Sequence, residues 1–278
     1  MRPSEWLSSS SDPARIAAAF FGRVRRCCGS ALKTSSRSIR WLRESRQREG
    51  GKVLRDAQLS PGVSIYHYLE YPHALAIFSE SRLRLANPAG WTDPYERRWH
   101  ERVFNEPSPL HATSTYALCS TRSRLDEPAW RMVGFGRTNA LVRIRCRVRG
   151  ILAAAAALAA QRPGAFFIGK VRYEHERSLQ RRVDALHAKE LPDAAPVAPS
   201  LLLRKGPALR FEREVRALWV DSEPQAKGLF LPIDVQSTIT QVMCSPHAHA
   251  DVRARIHQEF DKFGIQVVDQ VIEAGAKQ

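Results

Sequence analysis

The feature that most narrows the fold is a change of period at one place in the chain. Ala140-Leu-Val-Arg-Ile-Arg-Cys-Arg-Val148 follows the two-residue period of a strand, and Gly150-Ile-Leu-Ala-Ala-Ala-Ala-Ala-Leu-Ala-Ala160, directly after it, reads as a helix. The core must therefore mix strands with helices. The alanine run is flanked by Arg149 and Arg162. It falls short of the roughly 20 apolar residues that a membrane span needs, so a buried helix is expected.

The same patterns give the rest of the outline. A turn at Leu59-Ser-Pro-Gly62 opens the folded body, with strands expected over 63–68, 83–85, 116–119, 166–173, 211–220, 231–243 and 265–272. Helices are expected over 73–81, on the face Leu179, Val183, Leu186, Ala188, and on the face Val252, Ile256, Phe260, Phe263. Residues 192–199, with three prolines, read as a surface loop. The reading is a single α+β domain over 58–278, with 44% hydrophobic residues to fill its core.

Residues 1–57 differ in kind. Of the net charge of +15, residues 1–55 carry +9, from 13 Lys+Arg against 4 Asp+Glu. This Ser/Arg-rich extension reads as partly disordered or as a short amphipathic helix, with Ile16, Phe20, Val24 and Cys27 on one side. It suits a solvated tail, a peripheral membrane contact with Cys27-Cys28 as an acylation candidate, or the leader of a translocated effector. The apolar patch 16–21 runs into Arg23, Arg25 and Arg26, which argues against a secretory signal. Five irregularly placed cysteines do not form a disulfide framework, so a cytoplasmic protein is expected.

Three clusters carry candidate chemistry. In Tyr66-His67-Tyr68 a strand would turn the imidazole to one face and both phenol rings to the other. In Asn87-Pro88-Ala-Gly-Trp91-Thr-Asp93-Pro94-Tyr95-Glu96 a turn-rich loop gathers an amide, two carboxylates and two aromatic rings; Asp93 also suits a helix N-cap. In Arg210-Phe-Glu212-Arg-Glu214-Val-Arg216-Ala-Leu-Trp219 a strand would set Glu212, Glu214 and Arg216 on one face and Phe211, Val215 and Trp219 on the other. Two carboxylates roughly 6–7 Å apart beside an arginine form either a tuned catalytic pair or a solvated ion-pair ladder. Cys244-Ser-Pro-His247-Ala-His249 has no second ligand pair at zinc spacing, so no metal is expected. The chain contains no Walker loop, Gly-x-Ser-x-Gly elbow or His-Glu-x-x-His.

Taken in order, Ile65-Tyr-His67-Tyr68, Leu83-Arg-Leu-Ala-Asn87-Pro88, Asp93-Pro-Tyr-Glu96, Cys119-Ser120, Trp130, Lys205 and Glu212-x-Glu214-x-Arg216 resemble domain-of-unknown-function family 2971. Thr92 stands where that family usually has Asn, and the Phe of its Cys-Phe-Ser segment is missing. That family is in turn distantly similar to ADP-ribosyltransferases, and the resemblance implies a mixed, split β-sheet core flanked by helices. It also implies NAD as substrate, with His67 on the adenosine ribose, Tyr68 beside the nicotinamide, and Glu214 or Glu212 on the nicotinamide ribose. Asn87, Asp93, Tyr116 and Arg216 complete the cofactor contacts that the resemblance implies.

The enzyme reading is thus an ADP-ribosyltransferase or NAD glycohydrolase in a bacterial conflict or effector setting, with a protein or nucleic-acid acceptor. It predicts that the His67 cluster and the Glu212/Glu214 pair line one concave pocket. The alternative is a nucleic-acid or anionic-ligand binding module without chemistry, using Arg143, Arg145, Arg147 and Arg149 as a basic stripe.

Overall fold

The computed structural model describes residues 41–43, 52–91, 96, 115–123, 130, 140–187, 199–221 and 228–269. In chain order the strands are β1 (Trp41–Arg43), β2 (Lys52–Asp56), β3 (Ser64–Glu70), β4 (Arg82–Leu85), β5 (Thr115–Thr121), β6 (Leu141–Arg147), β7 (Gly164–Lys170), β8 (Arg172–Tyr173), β9 (Arg204–Lys205), β10 (Glu214–Asp221), β11 (Leu229–Pro232), β12 (Ile239–Cys244) and β13 (Val267–Asp269). The longer helices are α1 (Tyr71–Glu80), α2 (Val148–Gln161), α3 (Glu176–His187) and α4 (Ala250–Asp261).

Among the described residues nine strands form one mixed sheet in the order β1-β2-β7-β10-β5-β3-β6-β12-β13, with β4–β11 and β8–β9 as separate two-stranded ribbons. The sheet is split. β3 meets β6 at every position from Ser64 to Glu70, but it meets β5 only at Tyr66↔Thr121. Further along, Ala117 of β5 is bridged by Ala86 instead. The α+β class and the split core expected from the sequence are what the chain adopts.

Period two then decides what each face carries. One face presents Ile65, Leu69, Val142, Ile144, Leu118, Phe166, Val215, Ala217 and Trp219, all buried in a single apolar cluster with residues of α1, α2 and α4. At about 25 cal/mol per Å² of apolar surface removed from water, this face is the main source of stability. The alanine helix lies deep because small residues allow it to. A Cβ on Gly150 would stand 2.7 Å from the Thr238 Cα.

Several expectations move. The fold does not begin at residue 58, because β2 is buried along its whole length and runs parallel to β7, with β1 outside it. Its pattern was hidden by Lys52, Arg55 and Asp56, charged residues that are nonetheless buried. The expected strand over 231–243 is three elements: β11, a helical turn at Val235–Thr238 capped by Asp234, and β12. The strand expected from Phe211 starts only at Glu214, because Pro207–Glu212 is a 3-10 helix. Cys27-Cys28, Asp93 and most of 192–199 lie outside the described residues. No helix among the described residues is long and apolar enough to cross a membrane.

Candidate functional site

The opposite face of the same strands is built from charges. Register places Glu214 beside Thr121, Thr121 beside Tyr66, and Tyr66 beside Arg145, so one row crosses four strands and the seam. The next row along brings in Arg216 beside Cys119, and Tyr68 beside Arg143.

Glu214 and Arg216 are two apart on β10 and both buried, at 6% and 1% exposure. Arg216 donates Nε to Glu214 Oε1 at 2.7 Å and Nη2 to Oε2 at 2.9 Å, and also binds Glu96. Its Nη1 donates to the Leu202 carbonyl at 2.7 Å, and Trp91 lies across its guanidinium at 4.5 Å. Lys205 is the second cation, with Nζ 2.6 Å from Glu212, 3.2 Å from Glu214 and 3.5 Å from Glu96. Two cations thus hold three carboxylates in a largely dry environment, where charge interactions are far stronger than in water.

Burial raises the Glu214 carboxyl, but the charge and hydrogen bonds of Arg216, the charge of Lys205 and the Cys119 thiol outweigh it and leave the group at about 2. Burial and the Glu214 charge push the Cys119 thiol well above its usual range. Glu212 moves the other way, raised chiefly by burial despite Lys205. Burial alone would lower Lys205, yet the charges of Glu214 and Glu96 hold it above the ordinary lysine range.

Glu212 reaches this cluster by a route that the strand reading did not contain. It ends the 3-10 helix, and Arg213 after it sits at φ 46°, a left-handed conformation costly for a residue with a Cβ. The reversal at Arg213 breaks the alternation, and Glu212 and Glu214 still converge on Lys205. The same turn leaves Phe211 47% exposed, not in the core. Phe211, Arg210 and Arg213 line a cavity of about 610 Å³ with Arg122, Lys170, Val171, Tyr173 and Glu214. Burial and the neighbouring Arg122 charge lower Lys170. Tyr173 accepts the Glu214 backbone N–H at 2.9 Å.

His67 does not line that cavity. Ile65 and Leu69, two residues to either side, belong to the apolar cluster, so pleat alternation puts His67 on the helix-covered face and Glu214 on the other. The expectation that the two share one pocket is corrected here. The imidazole occupies the seam, with Nδ1 2.7 Å from the Cys119 carbonyl, beyond the one position where β3 and β5 pair. A carbonyl only accepts, so Nδ1 carries the proton and Nε2 is the acceptor. Burial lowers the His67 pKa and keeps the ring neutral.

The remaining candidates divide. Tyr68 is on the charged face, packed edge-on against Trp130 at 4.7 Å. Asn87 follows β4, and its carbonyl accepts the Gly90 N–H at 3.1 Å. Tyr116 is fully buried in the apolar cluster opposite Trp219 and cannot contact a cofactor on the charged face. The basic stripe also changes: Arg143, Arg145 and Arg147 lie on β6, but Arg149 belongs to α2. Arg143 is 3% exposed, its guanidinium 4.6 Å from the Tyr66 ring and 5.9 Å from Tyr68. Its Nε and Nη1 have no hydrogen-bond partner among the described residues.

Cys119 and Tyr173 were missed as members of the site. Tyr173 comes beside Lys205 through the β8–β9 pair, two residues long on each side and too short for any periodic signal.

No protein-family model and no curated protein matches the chain, so the resemblance to family 2971 rests on its motifs alone. Among solved structures, the chain is similar to DarT from Thermus sp. 2.9. The complex with carba-NAD+ is 12% identical, covering 76% of this chain and 97% of that one at a TM-score of 0.36. The complex with ADP-ribosylated ssDNA is 12% identical, covering 76% and 95% at 0.38. The complex with NAD+ is 13% identical, covering 77% and 98% at 0.33. A likeness of this extent assigns no residue and no activity to this chain.

Proposed function

We propose that the chain binds NAD, or a nucleotide of the same build, across the charged face of its sheet and cleaves the bond to nicotinamide. The observation that carries this reading is the pairing, on one face, of an ionised carboxylate at Glu214 with a buried, under-bonded guanidinium at Arg143. A guanidinium taken out of water without acceptors costs several kcal/mol. A phosphate offers the missing acceptors in the geometry that arginine prefers. Strands spaced about 4.8 Å apart put the two Cα positions about 15 Å from each other along the sheet, and the Arg143 guanidinium reaches back over the Tyr66 ring, 4.6 Å away, which shortens the span toward that between a pyrophosphate and the ribose bonded to it.

In this reading the pyrophosphate lies at Arg143 and the nicotinamide ribose at Glu214. The C–N glycosidic bond breaks with its electron pair leaving on nicotinamide, and the Glu214 charge stabilises the oxocarbenium-like ribose that remains. Water or an acceptor hydroxyl then adds to that carbon and loses its proton to solvent or to Glu212. Arg216 and Lys205 are positioning residues that fix the carboxylate. His67 is another: its Nδ1–H holds the Cys119 carbonyl, and Cys119 stands beside Arg216 in register.

The test is nicotinamide release from NAD by the full chain. Glu214→Gln should lower it at least a hundredfold with NAD affinity little changed, and His67→Ala about tenfold. Wild-type protein that neither releases nicotinamide nor binds NAD contradicts the proposal. Loss of NAD binding in His67→Ala would move the ligand from the charged face into the seam.

A second reading has its own observation. Four cations and the exposed Phe211 line the cavity beside Glu214, a combination suited to phosphates and a stacked base. Binding of DNA or RNA without chemistry would fall steeply with salt, and absence of binding at low salt excludes it.

A further inference from the structure

Far along the sheet from Glu214, three ligating side chains meet. Cys244 ends β12 and Asp269 ends β13; the two strands are parallel and these residues are opposite each other in register, so their side chains leave the same face side by side. His257 comes from α4, which packs on β13. The Cys244 sulfur, a ring nitrogen of His257 and a carboxylate oxygen of Asp269 all lie within 4.8 Å of one another, and His257 Nε2 is 3.2 Å from Asp269 Oδ1.

We propose that Cys244, His257 and Asp269 form a binding site for a divalent ion of the zinc class, with water as the fourth ligand. Donors around tetrahedral zinc, at bond lengths of roughly 2.0–2.3 Å, stand roughly 3.3–3.8 Å apart, and the observed separations need only a small contraction. The donor set is the right chemistry: sulfur and imidazole select zinc or copper over magnesium or calcium. A thiolate and a carboxylate neutralise the ion's two charges while the imidazole stays neutral. Cys244 is fully buried, whereas His257 and Asp269 are 42% and 44% exposed, so the site has a dry floor and an open mouth for water. Arg253, on the same helix as His257, is the opposing charge acting on Cys244.

The consequence is mechanical. β13 is a three-residue edge strand, and one ion would tie it to both β12 and α4. The sequence singled out Cys244 with His247 and His249, but both histidines are exposed, and the partners that the fold supplies are distant in sequence.

The site is independent of the proposed NAD chemistry and is tested apart from it. Metal-stripped full-length protein is titrated with Co²⁺, then with Zn²⁺ in competition, while its melting midpoint is followed. The expected result is a thiolate-to-cobalt charge-transfer band that saturates at one equivalent, disappears on Zn²⁺ addition and accompanies a higher melting midpoint. Cys244→Ser should remove the band. His257→Gln, at a half-exposed helix position that tolerates the change, should weaken binding at least tenfold. No band in the wild type, a band that survives Cys244→Ser, or unchanged affinity in His257→Gln overturns the proposal and leaves an ordinary His–Asp ion pair over a buried thiol.

Discussion

The two faces of the sheet are made from alternate residues of the same strands, and both are largely shut off from water, yet different physics holds them. On the helix-covered face Val215, Ala217 and Phe166 pack as hydrocarbon and need no partner of defined geometry. On the other face Glu214 and Arg216 are as deeply buried, and each must find compensating charges and hydrogen bonds. Burial of an ion pair is a poor source of net stability, because desolvation offsets most of the attraction. A fold that keeps such a network where apolar packing was available keeps it for what the charges do.

Breaking either face should be costly, for opposite reasons. Trp219→Ala empties a fully buried site and should cost about 3–5 kcal/mol by urea unfolding. Arg216→Ala should cost about 3–5 kcal/mol as well, since it strands Glu214 beside Glu96 without its main counter-charge. The contrast sharpens in the double variant Glu214→Leu with Arg216→Met. It should recover most of the single-variant loss while nicotinamide release stays absent. No double variant of the apolar face should separate stability from activity in this way.

Acid distinguishes the faces at a somewhat smaller scale. Glu214 titrates at about 2 in the fold against an ordinary 4.5, so its contribution is full above 4.5 and is lost as pH falls toward 2. That difference is worth about 3 kcal/mol. His67 acts in the same direction, because a lowered folded pKa means that the unfolded chain takes up the proton first below its ordinary 6.5. Unfolding free energy should therefore decline below pH 6.5 and steeply below 4.5. In Glu214→Gln the steep part should flatten.

The smallest effect should carry the opposite sign. Arg143→Met removes a buried cation with two nitrogens unpaired among the described residues, and should leave stability unchanged or raise it by about 1 kcal/mol. The same substitution should weaken nucleotide binding.

How much of this the sequence disclosed follows from which interactions are local. The strand over 141–147, the alanine helix and α4 were legible because each repeats its own period across many residues. Glu214 and Arg216 were legible as a pair for the same reason. Glu212 was placed on the wrong element, since nothing in Arg210-Phe-Glu-Arg announces a left-handed residue at Arg213. His67 was found, but its face relative to Glu214 depends on register across a seam where β3 and β5 share one pair, and no local pattern encodes that. Tyr116 looked available and is core, because a strand buried on both sides hides which face a tyrosine joins. Lys52 and Arg55 misled in the other direction, as charges buried in a strand that composition had assigned to a tail.

The claim on which the account turns is that the charged face holds an anionic nucleotide through Arg143. It is tested most directly by calorimetric titration of NAD into the full chain and into Arg143→Met. The account predicts one-to-one binding by the wild type, and at least tenfold weaker binding by a variant that is no less stable. No heat of binding with the wild type, or equal affinity in the two proteins, would contradict it.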